Sequence, residues 1–418
     1  MSIDLVFYLP RMCHCPEAYG RLGRGDRAQF DLSNTNMTDK KPLIGKKNIC
    51  IISPGALPLI LGAGHKNIIG PDVHAFILIN KIIKFGFNII CITTTKEDIL
   101  PQNPMPNLDI ILVREPSHRL RIVYIISRLV SIWSALRKAD ADVYYHAGAF
   151  SGPISIFCKL MNKRFIYGIA SDALVEKKLV SRRIREFSRS RLSLDRLGNW
   201  LDIMLADAII VQSHYQKKLL KEHFKRDGIL IKMPFPIAPK EIPHKASPPI
   251  VIWVGSIAEV KQPELFLKLA EAIPEARFQM IGGHSCNLEF YNSIKDAAER
   301  LQNFVFLGVV PFDEIDKYFM EASILVNTSM FEGFPNAFIQ AWMHHMPVVS
   351  LNADPDELLW EMKLGFHSRT FEKMVEDLRV LLNDEKLREE IGKNAREYAI
   401  KEHNADLLVK KYIEIFNQ

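Results

Sequence analysis

The sequence predicts an α/β protein built from two doubly wound, Rossmann-like domains that face a cleft. Short apolar, β-branched runs alternate with segments of helical period from about residue 47 to the end. A proline-rich stretch without apolar period, MPFPIAPKEIPHKASPP (233–249), divides the runs into two series. NICIIS (48–53), NIICIT (88–93), DIILV (109–113), DVYYH (142–146), RFIYGI (164–169) and AIIVQ (208–212) read as the strands of the first. PIVIWVG (249–255), RFQMIGG (277–283), FVFLGVV (304–310), ILVNTS (324–329) and PVVSL (347–351) read as those of the second. Helical spacing falls between them, as at 73–85 and 213–224, and the chain closes with helices near 385–402 and 404–417. The expected organisation is an extension over 1–46, a first domain over 47–236, a linker over 237–249 and a second domain over 250–395. Residues 396–418 are expected to pack back on the first domain as a helix. In parallel sheets of this type ligands bind outside the carboxyl ends of the strands.

Composition narrows the class. A chain of 418 residues exceeds one ordinary core, and 48% hydrophobic with 24% charged residues is the balance of a folded, soluble protein. No uncharged apolar run reaches the roughly 18 residues a membrane span needs, and MSIDLVFYLPRMCHC does not read as a secretory leader. Six scattered cysteines suggest no disulfide framework, so a reducing, cytoplasmic setting is expected. The net charge of +6 is unevenly spread: Lys177, Lys178, Arg182, Arg183, Arg185, Arg189, Arg191 and Arg196 crowd 177–196 against Glu186 and Asp195. That run is either a solvated helix face or a surface for anionic lipid or an acceptor phosphate, which would place the protein at the inner face of a membrane. No zinc spacing or RNA-binding signature accompanies it, and no nucleic-acid partner is expected.

The most informative stretch is SMFEGFPNAFIQAW (329–342), which leaves a buried strand and enters a helix at Pro335-Asn336. Glu332 lies in the loop, Gln340 one turn beyond Asn336 on the same helix face, and free N–H groups at the helix start suit sugar hydroxyls or phosphate. The segment resembles the donor-site motif of glycosyltransferase family 4, enzymes of the GT-B fold. In that motif an acid is followed by Gly-Phe-Pro, and a second acid comes eight positions after the first. Here Glu332 and Gly333-Phe334-Pro335 match, and Gln340 replaces the second acid, as in a bacterial branch that reads EGFPN with a later glutamine before Ala-Trp. VIWVGSIAEVKQPELF (251–266) resembles the segment whose cations grip the donor diphosphate, with Lys261 in place and Ser256 where arginine is common. IIGPDVHAFILINKIIKFGFNIICIT (68–93) resembles the Gly-Gly-x-Glu loop and helix, with Gly70 matching and Asp72 standing for the acid. DVYYHAGAFSG (142–152) and YGIASDALV (167–175) resemble the same bacterial branch.

The resemblance implies a retaining, metal-independent transferase of cell-surface polysaccharide assembly. Its co-substrate is a nucleoside-diphosphate sugar, it uses no other cofactor, and its acceptor is a glycan or a lipid-linked glycan. Glu332 and the backbone of Gly333, Phe334, Pro335 and Asn336 would hold the sugar, Gln340 the ribose, and Lys261, Ser256 and Gly70 the diphosphate. The base would lie between Phe306 and Val310, at Gly308. His146 and Asp172 would stand near the acceptor and orient its hydroxyl or take its proton, although His146 also reads as a satisfied core histidine. A nucleotide-sugar epimerase on the same fold, or a nucleotide-sugar-binding protein with little catalysis, is the alternative.

Several patterns mimic other chemistry. GAGHKNIIG (62–70) lacks the third glycine of a dinucleotide loop. Asp140-Ala-Asp142 and Asp354-Pro-Asp356 imitate a metal-binding Asp-x-Asp but read as caps of a strand and a helix. Cys13-His14-Cys15 has no partner ligands. The apolar stretch at 121–136, interrupted by Arg128, reads as an amphipathic core helix, and Ser213 reads as a helix cap.

Overall fold

The computed structural model describes residues 47–62, 70–95, 105–114, 121–148, 153–176, 192–238, 245–285 and 287–418. The extension over 1–46, with Cys13-His14-Cys15, lies outside the described residues, as does the basic segment up to residue 191.

β1 (Ile49–Ile52) reads Ile-Cys-Ile-Ile and is buried at every residue, which requires cover on both faces of its sheet. β2 (Ile89–Thr95), β3 (Leu108–Arg114), β4 (Val143–Ala147), β5 (Arg164–Gly168), β6 (Ala208–Val211) and β7 (Ile229–Leu230) join it in the parallel order β3-β2-β1-β4-β5-β6-β7. The second sheet is also parallel. It contains β8 (Ile250–Val254), β9 (Arg277–Ile281), β10 (Phe304–Gly308), β11 (Ile324–Asn327), β12 (Val348–Ser350) and β13 (Gly365–His367), ordered β10-β9-β8-β11-β12-β13. Each strand run identified in the sequence is a strand. The additional edge strands β7 and β13 are two and three residues long, too short to show a period. In both sheets the winding reverses next to the first strand, between β1 and β4 and between β8 and β11, which opens a crevice at their carboxyl ends.

The Gly70–Lys84 helix packs apolar residues from Val73 to Ile82 inward and carries Asp72 in its first turn. Asp72 is buried, accepting from Ser53 Oγ (2.7 Å) and Gly55 N–H (3.0 Å), so it fixes the loop that follows β1. Its role is therefore to tie helix to strand. Ser213 caps the His214–Phe224 helix by accepting from Gln216 N–H at 3.1 Å, as the sequence predicts.

The chain crosses between the sheets twice, and the crossings are bonded to each other. Phe235 N–H donates to the His403 carbonyl (2.7 Å), and Ala405 N–H donates to the Phe235 carbonyl (3.0 Å). The buried His403 ring donates from Nδ1 to the Met233 carbonyl (2.8 Å) and packs against Phe334 and Tyr398. The return crossing falls at Asn404 rather than at 395/396, because Glu385–His403 is one unbroken helix seated on the Asn336–Met343 helix. Beyond it, the Ala405–Asn417 helix packs on the Gly70–Lys84 helix and buries Val409, Tyr412 and Phe416 among the residues of β1 and β4. The C-terminal helix is thus part of the first sheet's core. Phe416→Ala is expected to cost about 3–5 kcal/mol through the cavity it leaves, read as a lower urea midpoint; an unchanged midpoint would mean that this helix is not docked.

Candidate active site

In the second domain the site is built on loops at the ends of β8 and β11. After β8 the chain passes Ser256, makes a single turn at Glu259–Lys261, and enters the Pro263–Ala272 helix through Gln262, whose φ is 47°. Met330 N–H donates to the Val260 carbonyl (2.9 Å) and Thr328 Oγ1 donates to the Lys261 carbonyl (2.8 Å), joining this turn to the loop after β11. Trp253 Nε1 holds Thr328 Oγ1 in turn, at 3.0 Å. Lys261 Nζ consequently lies 2.5 Å from Glu332 Oε1, and the same carboxylate oxygen accepts from Ser329 Oγ at 2.7 Å. Both partners are mostly shielded, with 25% and 13% of the side chain exposed, so each fixes the other's orientation and neither could lose its partner cheaply.

The first domain faces this pair with the turn after β5. Ser171 Oγ caps Asp172–Leu174, and the Asp172 carboxylate accepts from Gln216 Nε2 at 2.9 Å. Gln216 is buried, and its other amide atom accepts from Gln212 N–H at 2.9 Å, which fixes the sense of the amide. Burial pushes the Asp172 carboxyl up to about 6; the Gln216 bond works against this, and the negative charges of Glu176, Asp356 and Glu332 add to it. Glu332 therefore lies near enough to Asp172 for its charge to act there. Gly333 permits the approach, since a Cβ there would stand 3.1 Å from Ser171 Cα and 3.2 Å from the Ala170 carbonyl oxygen.

The other residues singled out in the sequence distribute around this centre. Asn336 opens the Asn336–Met343 helix and donates from Nδ2 to the Gly70 carbonyl (3.4 Å), so this helix touches the first turn of the Gly70–Lys84 helix. Phe334 turns its ring into the hinge core against His403, with centroids 4.9 Å apart, which leaves only its backbone for the cleft. Pro335 precedes the helix with φ −67°, and Gln340 is buried within it. Ser256 is half-buried beside the Lys261 turn. Gly308 ends β10 with φ +67° and accepts from Gly282 N–H (2.8 Å), beside Tyr291. His146 is buried at the end of β4, and its Nδ1 donates to the Ile52 carbonyl (2.9 Å) across the β1–β4 switch point.

Some contributors were not anticipated. Ser329 and Asn327, which hold Glu332, belong to the polar end of ILVNTS, read in sequence as continuing strand; β11 ends at Asn327. Gln216 has a weaker signal, a polar residue one turn inside a capped helix. Both Asp-x-Asp look-alikes are engaged elsewhere. Asp142 accepts from Asn48 N–H (2.8 Å), Asp140 pairs with Lys163 (2.9 Å), and Asp354 accepts from Leu359 N–H (2.9 Å). Asp356 caps a helix of the other domain instead of its own, accepting from His214 N–H (2.9 Å) and Tyr215 N–H (3.0 Å).

Residues 235–398 match the family described as glycosyl transferases group 1. The second domain is similar to the glycosyltransferase domains of that family. Among curated relatives, an uncharacterized glycosyltransferase of Haemophilus influenzae is 26% identical over 211 residues, 48% of this chain and 58% of that protein, so the chain spans less than two thirds of that relative's length. The two-domain architecture is shared with sucrose-phosphate synthase from Thermosynechococcus elongatus, at a TM-score of 0.73 and 17% identity over 89% of this chain and 99% of that one. It is also shared with Anabaena HepE in complex with UDP and glucose, at a TM-score of 0.66 and 13% identity over 89% and 99% of the respective chains. The fold is GT-B.

Asp172 gives this region a pH signature. Its native carboxyl keeps a proton up to about pH 6, whereas the unfolded chain releases it near 3.8, so stability falls as pH rises between those values and is level above them. Asp172→Asn is expected to melt progressively higher than the parent as pH rises through that window, with a constant difference above it. A pH-independent difference in melting temperature contradicts the burial argument.

Proposed function

We propose that the protein is a retaining, metal-independent glycosyltransferase that moves a sugar from a nucleoside-diphosphate sugar to a glycan or lipid-linked acceptor, in cell-surface polysaccharide assembly. The observation that carries this reading is the convergence of Lys261 and Glu332 at the switch point of the glycosyltransferase domain, opposite Asp172. The shared architecture with the Anabaena protein bound to UDP and glucose supports a nucleotide-sugar donor.

The chemistry follows from charge. As the bond to the anomeric carbon lengthens, negative charge grows on the leaving diphosphate, where Lys261 and the N–H groups opening the Pro263–Ala272 helix stabilise it. A diphosphate competes with Glu332 for Lys261, and that competition releases the carboxylate to accept a hydroxyl of the donor sugar. The backbone of 333–336 and the side chain of Asn336 complete the sugar site, and Gln340 is assigned to the ribose. Asp172, with its carboxyl pushed up to about 6, suits a group that orients the acceptor hydroxyl or receives its proton near neutrality. His146 supports the same crevice from beneath, through its bond to Ile52. Closure of the two domains excludes water that would otherwise hydrolyse the donor. The engagement of Asp140, Asp142, Asp354 and Asp356 in caps and an ion pair supports a mechanism that does not route through those acids. The free, buried thiols of Cys50, Cys91 and Cys158 favour a cytoplasmic setting.

Incubation with a panel of nucleotide sugars tests the reading. Slow release of nucleoside diphosphate is expected, and Glu332→Ala should reduce it at least about 100-fold while the melting transition persists; near-normal turnover would place the active site elsewhere. Gln340→Glu is expected to keep measurable activity, because a carboxylate still accepts from ribose hydroxyls; complete inactivity would show that the amide donor is required.

A further inference from the structure

We propose that the outer helices of the first domain form a docking surface for an anionic membrane leaflet. The Pro153–Leu160 helix contacts both the Arg121–Ala139 helix and the Leu192–Leu205 helix, so the three lie side by side on one face of the first sheet. Each buries a proper core face, through Ile132 and Leu136, Phe157 and Cys158, and Ile203 respectively. Yet the outward stripes are apolar as well. On the first helix Val123, Ile126 (55% exposed) and Val130 (63%) repeat at i, i+3 and i+7, with Leu129 alongside. On the second, Ile156 and Leu160 (70%) face outward, followed by Met161. On the third, Leu197, Trp200 (48%) and Met204 repeat at i, i+3 and i+7. A solvent-facing helix normally presents polar residues there, and apolar stripes on three helices that contact in series are the kind of surface that marks an interaction site.

Charge identifies the occupant. The exposed stripe of the first helix continues into Arg137 and Lys138, and Lys159 lies exposed on the second. Among the described acids nearby, Asp140 is paired with Lys163, Asp202 is wholly buried and Asp207 accepts from the Phe165 N–H at 2.7 Å. In sequence, the third helix is directly preceded by residues 177–191, with seven cations and one acid. Apolar residues bordered by cations match acyl chains beneath acidic headgroups, and an indole such as Trp200 suits the boundary between them. A second copy of this chain would instead bring cations against cations. The Arg121–Ala139 helix also roofs an apolar slot, lined by Ile92, Val113, Ile132 and Leu136 with Arg114 and Arg128, at the carboxyl-end side of the sheet. A leaflet held on this helix therefore lies beside the crevice. If the transferase reading holds, the acceptor is one anchored in that leaflet.

The full chain is tested by co-sedimentation with vesicles of phosphatidylcholine alone and of phosphatidylcholine with phosphatidylglycerol. Binding is expected to be at least about tenfold stronger on the anionic vesicles and to weaken with salt. Ile126→Glu combined with Val130→Glu is expected to abolish binding at unchanged melting temperature, and brominated lipid should quench fluorescence in the parent more than in Trp200→Phe. Equal sedimentation with both vesicle types, an unaffected double variant, or a dimer in solution that this variant dissociates would each overturn the proposal. Nucleoside diphosphate release is measured without vesicles in the same variant, so a failed membrane result and a failed transferase result remain distinct.

Discussion

One contact organises the molecule's chemistry: the partly buried ion pair between Lys261 and Glu332. Neither residue belongs to a strand or a long helix. Each is placed by a loop at the carboxyl end of neighbouring strands, β8 and β11, where the winding of the sheet reverses. Trp253, Thr328 and Ser329 then lock the loops together, so the pair inherits the rigidity of the sheet. Because the pair is shielded from water, the cation and the carboxylate hold each other in position.

The second constraint is how closely the domains approach. Gly333 against Ser171, Asn336 against Gly70, and Asp356 against the His214–Phe224 helix bring the sheets together on one side of the cleft. On the other side, Phe235 and Asn404 cross between the domains as a single bonded bridge, packed with His403, Phe334 and Trp342. The 332–336 loop therefore has a double character. Glu332 and the backbone belong to the candidate site, while Phe334 anchors the hinge, so neighbouring residues of one loop tie that site to the domain contact.

Most of the fold is legible in the sequence because parallel strands buried on both faces read as continuous apolar runs; β1 and β8 are the clearest examples. The misses have physical causes. β7 and β13 are too short to show a period. The crossing at Asn404 follows a helix whose amphipathic pattern runs without a break through residue 395. The identities of Lys261 and Glu332 are legible through motif resemblance, but the contacts that hold Asp172 and join the domains are not: Gln216 and Asp356 reach targets 44 and 142 residues away in sequence. The 121–136 stretch illustrates a subtler limit. In sequence it reads as an amphipathic core helix, and its inner face is core, but the outer half-turns at Ile126 and Val130 are apolar too, and a periodicity argument registers only the contrast between faces.

The account rests on Lys261 serving the donor rather than simply neutralising Glu332. Calorimetric titration of nucleoside diphosphates into the parent protein and into Lys261→Ala separates those roles. Binding weakened at least about tenfold in the variant, with the melting transition retained, is the predicted outcome. Undiminished affinity would show that the diphosphate binds elsewhere and would contradict the assignment of the site.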